Sequence, residues 1–229
     1  MADEGDKATR AAQYKVRVTK NGPYIVSGGV PLTEQLIQVD ADGESHGWKE
    51  GKKYPAQAVY AVCRCGASHN PPFCDGAHSG IHFDGTEVAV HTPYKEQASE
   101  TNGPVLRLTD AEGFCAEARF CHRAGGAWDL VQRSNDSEAR RIAIEEACDC
   151  PSGRLVVWDP DGKAIEPDLE PSIGLIEDTQ AGKMGPMWVR GGIPIEPADG
   201  TAYEVRNRVT LCRCGKSANK PFCDGSHLR

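Results

Sequence analysis

The sequence predicts a mainly β fold with a small α/β insert, and three observations lead there. The 25 glycines and 15 prolines suit short strands joined by turns better than a helical bundle. β-prone runs such as Tyr24-Ile25-Val26 and Val59-Tyr60-Ala61-Val62 end at turn residues or cysteines. The chain also repeats itself, so two similar small modules flank a different segment.

Taken in order, residues 1–20 form a polar segment expected to be a flexible tail. Its first 13 residues lack the apolar core of a signal peptide, and Asp3, Glu4 and Asp6 argue against a mitochondrial presequence. The first module is expected over 21–92. Its Gly22-Pro23-Tyr24-Ile25-Val26-Ser27-Gly28-Gly29-Val30-Pro31-Leu32 matches Gly185-Pro186-Met187-Trp188-Val189-Arg190-Gly191-Gly192-Ile193-Pro194-Ile195 of the second module, expected over 173–229. Farther on, 54–78 aligns without a gap to 203–227. The first copy alone has an extra loop around 40–53, polar as a surface hairpin insertion would be. Strands are expected at 24–26, 59–62, 188–189 and 208–211.

The middle segment, 93–172, differs in kind. Its strongest helix is expected from about 136 to 148, capped by Asp136 or Ser137, with Ala139, Ile142, Ala143 and Ala147 as an apolar stripe. Pro151 ends that region. The four tryptophans, Trp48, Trp128, Trp158 and Trp188, are expected to pack. His46, His69, His82 and His91 fit no ligand pattern and suit loops.

The net charge of −7 argues against nucleic acid or an anionic membrane as the main partner. No apolar run approaches the ~18 residues of a membrane span. Ten cysteines without a visible export signal, and in tight clusters, read as metal ligands rather than disulfides, and the expected compartment is cytoplasmic.

Two ligand sets repeat. Cys63-Arg64-Cys65 precedes Cys74-Asp75-Gly76-Ala77-His78, and Cys212-Arg213-Cys214 precedes Cys223-Asp224-Gly225-Ser226-His227. Each reads Cys-x-Cys, eight residues, Cys, three residues, His. Between them Gly66, Ser68, Asn70 and Pro72-Phe73 recur as Gly215, Ser217, Asn219 and Pro221-Phe222. Thiolates are the usual ligands of iron–sulfur clusters, and a histidine nitrogen can replace one. A Cys-x-Cys pair at a strand end can bite one metal ion. Asp75 and Asp224 suit helix N-caps, which places His78 and His227 in a first turn. A structural zinc site also uses three Cys and one His, although zinc motifs usually open Cys-x₂₋₄-Cys.

Both stretches resemble the CDGSH iron–sulfur family, with its Cys-x-Cys-x₂-Ser-x₃-Pro-x-Cys-Asp-Gly-(Ser/Ala)-His signature. The resemblance implies a 2Fe–2S cluster in each. Cys63 and Cys65 would hold the inner iron, with Cys74 and His78 on the outer. Cys212 and Cys214, then Cys223 and His227, follow in the same way. Two such β-rich modules in one chain are expected to pack as an intrachain pseudo-twofold pair, giving a monomer.

Four cysteines remain. Cys115 and Cys121 form Cys-x₅-Cys, and Cys148-Asp149-Cys150-Pro151-Ser152-Gly153 follows the helix. Cys-Pro recurs in ferredoxin ligand loops. The segment is similar to a divergent single-cluster ferredoxin family, which implies a further iron–sulfur cluster on Cys115, Cys121 and Cys150, with Cys148 or His122 as fourth ligand. The competing reading is that these cysteines are small core residues.

The function these features predict is electron or cluster transfer to a redox or cluster-acceptor protein. The alternatives are a redox or iron sensor that changes partner with cluster state, and an accessory subunit of an oxidoreductase. No Ser–His–Asp set, Walker loop or dinucleotide fingerprint appears, so no enzyme activity is expected.

Overall fold

The computed structural model describes residues 4–229. The first repeat supplies α1 (Glu4–Gln13), β1 (Lys15–Val18), β2 (Tyr24–Ser27), β3 (Leu32–Val39), β4 (Ser45–Lys53) and β5 (Val59–Val62). The short α2 (Ala77–Gly80) closes its ligand loop. The middle segment holds α3 (Tyr94–Gln97), β6 (Ser99–Asn102), β7 (Arg107–Asp110), α4 (Ala127–Gln132), α5 (Ser137–Asp149), β8 (Leu155–Trp158) and β9 (Ala164–Ile165). The second repeat has β10 (Ser172–Asp178), β11 (Lys183–Arg190), β12 (Ile195–Glu196) and β13 (Arg208–Leu211). The fold is mainly β with a small α/β insert.

The segment expected to be a flexible tail folds as α1 and β1; residues 1–3 lie outside the described residues. Lys7 reaches Asp168 and Glu170, and Arg10 reaches Glu170 at 2.8 Å, tying α1 to the end of the middle segment. Beyond it β1 pairs antiparallel with β2, burying Val16 and Val18 while Lys15 and Arg17 face outward. A two-residue alternation buried on one face makes it a strand.

Each repeat completes its partner's sheet. One sheet runs β12-β1-β2-β5 and the other β13-β11-β10-β3-β4. β12 lies parallel to β1, pairing Ile195 with Val16, and β3 lies parallel to β10, pairing Leu32 with Ile173. The pairing is matched bond for bond: Val16 N donates to Pro194 O at 3.0 Å, and Ile173 N to Pro31 O at 2.8 Å. After each Gly-Gly turn the chain therefore crosses to the other repeat. This exchange is the expected pseudo-twofold pair. It closes one core from both repeats, with Val16, Tyr24, Val26, Ile173, Met187, Val189 and Leu211 among its members. Burying side chains of this size stabilises by roughly 1.5–3 kcal/mol each.

The extra loop of the first repeat is a hairpin: β4 returns along β3 and extends the second repeat's sheet. Trp48 on β4 packs on Phe120 and Trp188, each at 4.8 Å between centroids, so the hairpin joins the middle segment to the second repeat.

The middle segment is a four-stranded antiparallel sheet, β6-β7-β8-β9, backed by α4 and α5. Asp136 caps α5 by accepting from Ala139 N at 2.8 Å, as expected. The far end of α5 docks on the second repeat. The buried Arg208 guanidinium bonds Ala147 O at 2.9 Å, Cys150 O at 2.8 Å and Leu155 O at 3.0 Å. Cations suit the orphan carbonyls of a helix C-terminus. No helix among the described residues is long and apolar enough to cross a membrane.

Candidate functional site

Strand β5 runs straight into Cys63-Arg64-Cys65, and β13 into Cys212-Arg213-Cys214. Strand alternation points both cysteines of each trio one way and the arginine the other. The arginines are buried. Arg213 donates to Gly185 O at 2.7 Å, Ile176 O at 2.8 Å and Glu177 Oε1 at 2.8 Å. Arg64 donates to Gly85 O and lies against the rings of Tyr24 and Phe83.

After each trio the chain turns at Gly66 or Gly215 and returns through a matched loop. Ser68 Oγ donates to Phe73 O at 2.6 Å, and Ser217 Oγ to Phe222 O at 2.7 Å. The aspartates are not the expected N-caps. Asp75 accepts from the backbone N–H of His69 at 2.7 Å and of Ala77 at 3.0 Å; Asp224 accepts from Ala218 N at 2.8 Å and Ser226 N at 3.0 Å. Each carboxylate ties the outgoing loop to the returning one. A carboxylate that accepts several N–H bonds is held ionised, which brings Asp75 down to about 2. His78 lies in the first turn of α2, whereas His227 lies in a turn without a helix.

The donors come in pairs. Cys63 Sγ stands 3.7 Å from Cys65 Sγ, and Cys212 Sγ 3.7 Å from Cys214 Sγ. Cys74 Sγ is 3.3 Å from His78 Nδ1, and Cys223 Sγ 3.6 Å from His227 Nδ1. Two thiolates on one tetrahedral ion stand about 3.75 Å apart, and a thiolate and an imidazole nitrogen about 3.5 Å, for metal–ligand lengths of about 2.3 and 2.05 Å. Each pair therefore fits one ion. Among the described residues no three His, Cys, Asp or Glu side chains close on a single ion.

Burial separates the two loops. Cys74 is half-buried and Cys223 buried. Desolvation pushes the Cys223 thiol up to about 12 and lowers His227. The hydrogen bond within the pair pulls Cys212 below an ordinary thiol and pushes Cys214 up. That pair gives up one proton easily and the second reluctantly.

Two stretches, 21–79 and 184–228, match the family model described as iron-binding zinc finger of CDGSH type, and 101–160 matches the one described as divergent 4Fe-4S mono-cluster. Two CDGSH-type domains flank a divergent 4Fe-4S-type one. No curated protein and no solved structure matches the chain.

The CDGSH sites meet at the pseudo-twofold axis. Cys65 and Cys214 form an antiparallel bridge, and a Cβ on Gly66 or Gly215 would stand 2.8 Å from the opposite cysteine's carbonyl oxygen. Tyr24 of the first domain reaches across, its buried hydroxyl donating to Cys212 O at 2.8 Å and lying 3.1 Å from Pro221 O.

In the middle domain Cys115, Cys121 and Cys150 line one cleft with Ser152, Arg154 and Leu155. Burial pushes Cys121 up to about 12, and the nearness of Cys150 and Cys115 adds to it. Three thiols facing one space suit a cluster better than unrelated core positions. Cys148, the fourth member of the expected set, turns away: its Sγ lies 3.8 Å from Ile165 O and it does not line the cleft. The reason is helical, since Cys148 belongs to α5 while Cys150 follows its end. His122 is exposed and does not line the cleft either. Sequence reasoning missed Arg154, which interacts with Cys115 and holds Asp110 by bonds of 2.6 and 2.9 Å. Its place in Cys-Pro-Ser-Gly-Arg was the available signal. Ser152, whose Oγ is 3.5 Å from Cys150 Sγ, was another.

Proposed function

We propose that each CDGSH loop holds a 2Fe–2S cluster and that the chain carries electrons or clusters to a redox or cluster-acceptor protein. The observation that carries this reading is the pairing of donors: each loop offers two ion-sized bites, Cys–Cys and Cys–His, repeated in register. A binuclear cluster takes two protein ligands per iron, whereas a lone zinc ion takes four at one point. Bound there, such a cluster supplies a one-electron acceptor. The chain's own groups set its surroundings: thiolates and imidazoles as ligands, Asp75 and Asp224 as loop ties, and Arg64 and Arg213 as buried positive charge behind the strand ends. The middle trio Cys115, Cys121 and Cys150 supports a further cluster.

The test is a count of iron, zinc and acid-labile sulfide per chain on anaerobically purified protein. About four irons with matching sulfide supports two 2Fe–2S clusters, and more supports an occupied middle site. Stoichiometric zinc without sulfide would overturn the proposal.

A further inference from the structure

The repeat provides an internal control, because every residue of the first ligand loop has a counterpart in the second. The two loops are covered differently. Phe222 is buried against Phe114 of the middle domain at 5.1 Å and Tyr203 at 5.0 Å. Its counterpart Phe73 is half-buried, and its ring partners among the described residues, Tyr54 at 5.6 Å and Tyr60 at 6.4 Å, belong to its own domain rather than to the middle one. Asn219 Nδ2 donates to Gly113 O at 2.8 Å, while among the described residues the Asn70 side chain has no such bond. A Cβ on Gly225 would run into the Glu117 side chain; one on Gly76 would meet nothing within 4 Å. The linker adds to the cover, since Val88 N and Ala89 N both donate to Lys220 O, at 2.8 and 2.9 Å.

All three middle-domain contacts come from one stretch, Gly113, Phe114 and Glu117, and that stretch contains Cys115. The segment that offers the middle site its first thiol is thus the segment lying on Phe222, Asn219 and Gly225, beside Cys223 and His227. Whatever fixes Cys115 also fixes the cover.

We propose that this stretch is a clamp, coupling occupancy of the middle site to retention at the C-terminal CDGSH site and leaving the unclamped N-terminal site as the port through which the chain exchanges with partners. The proposal rests on the reading that all three sites hold iron–sulfur clusters. Phe114, Asn219 and Glu117 act as positioning residues and need touch no metal. Because the clamp is built on one side only, two nearly identical ligand loops acquire different lifetimes.

The experiment follows iron removal by a ferrous chelator, bathophenanthroline disulfonate, from the full loaded chain. Cys74→Ala isolates the C-terminal site and Cys223→Ala the N-terminal one. The N-terminal site should release iron faster. Phe114→Ala should speed C-terminal release about three- to tenfold, the rate equivalent of one lost aromatic pair. Phe114→Tyr should restore the slow rate. Glu117→Gly is the variant safest for folding, because Glu117 is exposed and has φ 53°, a conformation glycine adopts freely. It too should speed release at the C-terminal site alone. Cys150→Ala empties the middle site without touching a clamp contact and should have the same effect. Equal release from the two sites, or acceleration of both alike by Glu117→Gly, would overturn the clamp. If Cys150→Ala leaves iron per chain unchanged, the reading of the middle site fails, and the cover is then judged by Glu117→Gly alone.

Discussion

Replacing Gly66 or Gly215 by alanine tests the axis where the two CDGSH domains meet. Both glycines have left-handed backbones, φ 74° and 78°. An L-residue there costs about 1–2 kcal/mol. Each new methyl would also stand 2.8 Å from a backbone carbonyl oxygen across the axis, which no rotamer change relieves. Overpacking of that kind costs about 1–3 kcal/mol more. The expected loss is therefore about 2–5 kcal/mol for each variant. Gly76→Ala is the control: its φ is 91° but its surroundings are open, so only the backbone cost of about 1–2 kcal/mol applies. The assay is urea unfolding of the loaded chain by far-UV circular dichroism. The double variant should lose less than the sum, because separating the domains once relieves both contacts. If Gly66→Ala proves no more costly than Gly76→Ala, the two ligand strands do not meet as described.

Replacing His78 and His227 by Cys should lower both reduction potentials, since a thiolate adds negative charge where a neutral imidazole stood, and should slow bleaching of visible absorbance at pH 6; unchanged decay would mean that these histidines are not ligands. Without a cluster, burial lowers His227, so the stability its neutral form gives the folded chain, full above about 6.5, is lost as pH falls below that value; urea unfolding of the cluster-free chain should show that slope, and His227→Gln should remove it. Lys216 and Lys220 stand where the first loop has Ala67 and Pro71, and positive charge favours the reduced cluster, so the C-terminal site should reduce first and Lys216→Ala with Lys220→Ala should narrow the gap in a site-resolved redox titration. Glu146 is wholly buried, neither of its oxygens has a hydrogen-bond partner among the described residues, and burial raises it to about 8. Its folded form holds a proton that the unfolded chain releases from about 4.5 upward, so stability falls as pH rises from about 4.5 to 8, and Glu146→Gln should remove that slope, gaining on the order of a few kcal/mol at pH 8 in urea unfolding and nothing at pH 4.

The ligand positions were legible because chemistry fixes their spacing: one ion needs two donors at a set separation, and the spacing survives in both copies. Strands 59–62 and 208–211 were legible for a related reason, being β-prone runs that abut those ligands. The exchange of β3 and β12 was not, because a strand's own pattern says that it pairs but not with which repeat. Four residues, Lys15 to Val18, are too few for alternation to stand out, and the second copy replaces Arg17 with Gly174 on that face, so the repeat hid its first strand. Cys148 and Cys150 differ in role by two residues at a helix end, and only the last turn of α5 decides which faces the cleft. The cover on the second loop involves residues more than 100 positions apart, Gly113 with Asn219 and Glu117 with Gly225, and no local pattern announces such a meeting.

The strand exchange has a consequence for how such a chain can change over time. In a dimer of identical subunits every substitution appears twice, so neither copy of a ligand loop can be altered without the other. Here β3 and β12 interlock two halves that belong to one polypeptide, and a mutation strikes one half alone. Arg208 is buried beneath the middle domain where its counterpart Val59 is 57% exposed. Tyr24 bonds across the axis from a position that Met187 fills in the other copy. Covalent linkage kept the symmetric frame while releasing its two halves from the obligation to be alike.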